Sequence, residues 1–198
     1  PLHNQAVRIT ASIGVSLFPQ DEADPDTLLR HADQAMYTAK ESGRNRYHLF
    51  DPERDRRTRA HHEAVTRIEQ GLRAGEFVLY YQPKVDLRQG KAIGAEALIR
   101  WNHPLRGLLP PAEFLPFVEG HEFSIQLDDW VIEQALAQMA AWRAAATAPP
   151  VSVNVSARQM QRTEMAEQLA AALARHPEVP PQDLELEILE TSALDDIL

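Results

Sequence analysis

Apolar and polar residues alternate with a period of two in several short stretches of this chain, and recur with a helical period between them. The clearest stretch is Gly94-Ala95-Glu96-Ala97-Leu98-Ile99-Arg100-Trp101, where Glu96, Leu98 and Arg100 share one face of a strand and Ala97, Ile99 and Trp101 the other. Residues 7–18 read as a strand, with Ile9, Ala11, Ile13 and Val15 in alternation and Pro19 ending the run. After a turn-rich loop, Asp26 is the expected cap of a helix over 27–42. Its stripe is Leu28, Leu29, Ala32, Ala35, Met36 and Ala39, and Gly43 is its terminator. Residues 46–50 form a short strand. One polar helix over 54–72, with Ala64, Val65, Ile68 and Leu72 on one side, then leads to Gly75.

The pattern repeats in larger form beyond Gly75. Strands are predicted at 77–81, 92–101, 151–156 and 184–189, and a proline-rich loop at 103–111. Helices are expected up to residue 119, over 124–146 and over 164–175. Strands alternating with helices imply an α/β fold with right-handed crossovers and a parallel sheet or barrel. Three of these strands carry oxygen-bearing side chains opposite their apolar phase. These are Glu96, then Ser152, Asn154 and Ser156 against three valines, then Glu185 and Glu187 against Leu184, Leu186 and Ile188. That phase suits an incomplete TIM-like (β/α) barrel with an acidic mouth. Carboxylate and amide oxygens are hard donors that suit magnesium, manganese or calcium. Taken singly, each has a plainer use: Asn154 as a buried amide, Glu187 as a cap or arginine partner, Glu96 and Arg100 as an ion pair.

Composition narrows the chemistry. The 198 residues contain no cysteine, which excludes disulfides, thiolate metal sites and cysteine nucleophiles. A formal net charge of -9 disfavours a nucleic-acid polymer as partner, so an anionic ligand would need local cations. No apolar run approaches the roughly 18–20 residues of a membrane span, and the first residues show no leader pattern. A cytoplasmic location is expected, with any membrane anchor lying upstream.

Four motifs in order carry a family resemblance over about residues 58–198. Tyr80-Tyr81-Gln82-Pro83, then Gly94 to Trp101, lead to His103-Pro104, Gly107, Pro110-Pro111 and Phe114-Leu115-Pro116. Val151-Ser152-Val153-Asn154-Val155-Ser156-Ala157 and the run from Leu184 to Ser192 complete the set. These are similar to the first half of EAL-family cyclic-di-GMP phosphodiesterases. Ahead of them, Ala11 to Val15, Ala32 to Lys40 and Gly43 to Tyr47 resemble the end of a GGDEF diguanylate cyclase domain. The implied layout is a strand-helix-strand cyclase remnant over 1–51, a linking helix over 52–75 and half of an EAL domain over 76–198.

The resemblance implies that Glu96, Asn154 and Glu187 hold Mg2+ or Mn2+, with Glu96 also the catalytic signature residue. It implies that Arg100, Gln82 and Pro111 contact cyclic-di-GMP, that Glu190 supports the site, and that Lys40 and Arg44 are residual phosphate contacts of the cyclase part. The parent protein is then expected to hydrolyse cyclic-di-GMP to linear diguanylate in bacterial signalling, and to form a homodimer. The family's paired aspartates, later lysine and later glutamate would fall past Leu198, and the cyclase signature loop before Pro1. The fragment alone is therefore expected to be inactive. The alternative is a receptor that binds the dinucleotide without cleaving it. Leu189 stands where the family usually has threonine, which should alter packing near Glu190.

Overall fold

A computed structural model of the protein describes residues 9–145 and 149–188. Its internal contacts divide it into two compact units, Pro1–His62 and Glu63–Leu198.

In the first unit, β1 (Ile13–Val15) pairs in parallel with β2 (Tyr47–Leu49), and α1 (Pro25–Glu41) makes the crossover. The expected cap moves from Asp26 to Asp24, whose carboxylate accepts from the Thr27 amide at 3.0 Å. The reason lies in Pro25: a proline has no N–H to lose at the first helical position, so the helix starts there. Ala35 and Ala39 are buried, and Leu29 is exposed instead of joining the expected stripe. The backbone of α1 sits directly on Gly14, where an added Cβ would lie 1.8 Å from the Ala32 carbonyl oxygen. Buried Asp21 accepts from the Ser16 hydroxyl at 2.6 Å and pairs with His31 Nδ1 at 2.7 Å, and His31 stacks on Phe50. Arg44 lies past the end of α1, with a left-handed φ of 56°.

The helix α2 (Pro52–Arg73) is held at its start by the Asp51 carboxylate, which accepts from the Glu53 and Arg54 amides. The second unit is built on one sheet in the order β3 (Phe77–Asp86), β4 (Lys91–His103), β6 (Val151–Val155), β7 (Leu184–Ile188), with β5 (Gly107–Leu109) added beside the end of β4. Strand-helix alternation implies a parallel sheet or barrel, and β4, β6 and β7 are parallel; β3 and β4 instead form an antiparallel hairpin, as do β4 and β5. Asp86 makes the first turn, accepting from the Arg88 and Gln89 amides while Gly90 supplies a positive φ of 62°. The crossovers into β6 and β7 are parallel, and over the described residues the sheet is open, not a closed barrel.

One face of this sheet is the core. Ala97, Ile99, Trp101, Val151, Val153 and Val155 pack against α4 (Phe123–Ala144). That helix buries Leu127, Val131, Ile132, Ala135, Leu136 and Met139, the three-and-four spacing of a helix face. Glu76 ties the edge: its carboxylate accepts from Trp101 Nε1 at 2.8 Å, and both of its oxygens accept from the single Nη2 of Arg67, at 2.8 and 3.1 Å. The turns α3 (Leu115–Val118) and α5 (Ala157–Met160) follow β5 and β6, and α6 (Met165–Arg175) precedes β7.

Candidate functional site

Because strand side chains alternate, everything that is not core on β3, β4, β6 and β7 faces the other way. The register makes this concrete. Gln82 pairs with Glu96, Glu96 with Ser152, Ser152 with Glu185, and Asn154 with Glu187. Gln82, Lys84, Glu96, Arg100, Asn154 and Glu187 therefore share one polar face, opposite the core.

On that face Asn154 Nδ2 donates to Glu96 Oε1 at 2.8 Å, which joins β4 to β6 through their side chains. Lys84 reaches from β3 to β7, donating to Glu187 Oε1 at 2.6 Å and to Glu185 Oε2 at 3.1 Å. Its ammonium holds the Glu187 carboxyl below the ordinary carboxylate range, and the two carboxylates raise Lys84 in turn. Arg100 donates to the Ile99 carbonyl at 2.8 Å and lies over the Tyr80 ring at 5.7 Å. Among the described residues no ion pair joins Glu96 to Arg100, so the plain ion-pair use of this strand is not the one adopted.

A slot opens beside Glu96 for a topological reason. The pairing of β4 with β6 runs only from Ala95 to Ala97, after which β4 turns to β5 and the strands part. The resulting cavity of about 270 Å³ is lined by Glu96, Leu98, Pro111, Leu115, Asp128 and Asn154. Pro111 reaches it because it opens the 3-10 turn Pro111–Glu113 that follows β5. Asp128 of α4 is buried and accepts from both the Ser156 amide, at 3.0 Å, and the Ser156 hydroxyl, at 2.5 Å. Burial pushes its carboxyl up to about 6, against the opposing pull of those two bonds. Ser156 in turn caps α5, so Asp128 supports the chain just after Asn154. Nearby, the Ser124 hydroxyl is buried without a hydrogen-bond partner among the described residues.

Of the residues expected from sequence, Glu96, Asn154, Glu187, Gln82 and Arg100 are brought to one face and Pro111 to the adjoining slot. Glu190 lies outside the described residues. Lys40 and Arg44 belong to the first unit and are exposed there. Two residues were missed. Lys84 is in phase with Gln82, two positions on, so the alternation alone could have placed it. Asp128 falls in the apolar spacing of α4, where a carboxylate at a core position was the available signal.

Among the described residues no three carboxylates or histidines gather to hold an ion by themselves. Glu96 and Glu187 with the amide of Asn154 supply oxygen donors on neighbouring strands of one face, and the Glu96–Asn154 contact brings two of them together. This donor set fits a hard divalent ion.

The EAL domain model matches residues 65–197, and the model of the diguanylate cyclase GGDEF domain matches residues 1–46. The chain is 38% identical over 191 residues to the bifunctional diguanylate cyclase/cyclic di-GMP phosphodiesterase MucR of Pseudomonas aeruginosa, covering 96% of this chain and 28% of that protein. It is 39% identical over 154 residues to the cyclic di-GMP phosphodiesterase PdeR of Escherichia coli, covering 78% of this chain and 23% of PdeR. Among solved structures, the PaMucR phosphodiesterase in complex with c-di-GMP superposes with a TM-score of 0.62 at 36% identity, over 68% of this chain and 54% of that one. The chain spans about a quarter of the length of these curated relatives. Among the described residues no helix is long and apolar enough to cross a membrane.

Proposed function

Because this chain belongs to the EAL family and carries the C-terminal part of a GGDEF domain ahead of it, we propose that its full-length protein cleaves cyclic-di-GMP to linear diguanylate with a divalent metal. The observation that carries this reading is the Glu96–Asn154 contact on the face that also presents Glu187. Glu96, Asn154 and Glu187 would hold Mg2+ or Mn2+. The ion supplies a lowered water pKa and charge neutralisation at the phosphodiester. Arg100 would bind a phosphate through its fork of donors, for which its place four residues from Glu96 on the same strand face is suitable. Gln82, directly across from Glu96, and Pro111, at the slot, would orient the dinucleotide. Residues 1–51 would then be the end of a cyclase domain and 52–75 a linking helix. The reading places the protein in the cytoplasm and allows a homodimer of the full-length chain.

The test is release of linear diguanylate by the full-length protein with magnesium or manganese. Glu96→Gln and Asn154→Ala are each expected to lower kcat by about a hundredfold or more. Absence of hydrolysis under conditions where a known phosphodiesterase turns over would overturn the enzymatic reading. One observation favours a second reading, a receptor that binds without cleaving: Lys84 already occupies an oxygen of Glu187. Calorimetric binding of cyclic-di-GMP with no turnover is the outcome that selects it.

A further inference from the structure

Lys84 stands in an unusual relation to the proposed metal site. It lies on β3, and the carboxylates it bonds lie on β7, with β4 and β6 between them in the sheet. Its stem crosses the polar face, and its ammonium ends 2.6 Å from Glu187 and 3.1 Å from Glu185. The side chains of Lys84 and Glu187 are each about one-third exposed, 37% and 35%, so the contact is accessible from solvent. An ammonium and a divalent ion seek the same carboxylate oxygens, and two cations held on one carboxylate repel each other.

We infer that Lys84 is a built-in counter-cation for Glu187, a positioning residue that must release this carboxylate before the carboxylate can bind a metal ion. The inference rests on the metal-site reading above. In the metal-free protein Lys84 offsets the charge of Glu185 and Glu187 and keeps the Glu187 carboxylate in place. When a divalent ion takes Glu187, the long and partly exposed lysine side chain withdraws to Glu185. The exchange sets the metal affinity of the site below what its acidic residues alone would give.

The experiment is calorimetric titration of the full-length protein with Mn2+ alone, without dinucleotide, so that the readout is independent of turnover. Lys84→Met and Lys84→Gln are both expected to bind Mn2+ several-fold to about tenfold more tightly than the parent, because a like charge beside the ion is removed. Lys84→Arg keeps the charge and should stay close to the parent value. Unchanged or weaker Mn2+ binding in both neutral variants would overturn the inference, since Lys84 would then only orient Glu187. Glu187→Gln separates the two layers: if it leaves Mn2+ affinity unaltered, Glu187 is not a ligand and the metal reading itself fails.

Discussion

Asp128 is a carboxylate placed where a helix face should be apolar, and its energetics can be read from its surroundings. Its pKa is raised from 3.8 to about 6 by burial, so the folded protein keeps a proton that the unfolded chain gives up between about pH 4 and 6. Stability from this residue therefore falls as pH rises through that window and levels off above it. Asp128→Asn retains an oxygen to accept from Ser156 and removes the charge. It is expected to raise stability by about 2 kcal/mol at pH 8, with no comparable gain at pH 4. Urea denaturation midpoints at the two pH values check this. Glu76 shows the opposite sign. Its bonds to Trp101 and Arg67 hold its carboxyl low, so its stabilisation is present at neutral pH and is lost as pH falls. Glu76→Ala should cost about 1–3 kcal/mol at pH 7, because it strands the indole N–H at the edge of the core. Thermal denaturation of the two proteins side by side gives that value.

At the level of elements, the first unit depends on one close approach. The backbone of α1 lies on β1 at Gly14, where no side chain fits: a Cβ would meet the Ala32 oxygen at 1.8 Å and the Met36 nitrogen at 2.3 Å. Gly14→Ala must push the helix off the strand and is expected to destabilise this unit by about 3 kcal/mol. Hydrogen exchange of the α1 amides would report it, and unaltered protection would sink the prediction. In the second unit, the parting of β4 from β6 after Ala97 makes the slot beside Glu96. Elements and their types were legible in the sequence, because α4 repeats its apolar residues every three or four positions and β4 alternates. Pairing direction was not. The antiparallel hairpin of β3 and β4 follows from Asp86 and Gly90 folding a tight turn, and the short β5 was hidden inside a proline-rich stretch.

For the whole molecule, the proposed metal should couple to stability, since a ligand that binds only the folded state stabilises it by mass action. Mn2+ at about a hundred times its dissociation constant should add about 2.7 kcal/mol to the full-length protein, seen as a raised Tm that a chelator reverses. Glu96→Gln should abolish the shift, and a shift that persists in it would remove Glu96 from the ligand set. Family membership, the acidic identity of the proposed site and the phase that puts Glu96, Asn154 and Glu187 opposite the apolar residues of their own strands were all determined by sequence. They depend on local alternation and on the order of motifs, which a linear string preserves. Who touches whom across the sheet was decided only by the tertiary structure. Strand order and register bring Asn154 to Glu96, carry Lys84 past two strands to Glu187, and lay Asp128 under Ser156. Those contacts join residues 28 to 103 positions apart, and no local periodicity encodes such distances.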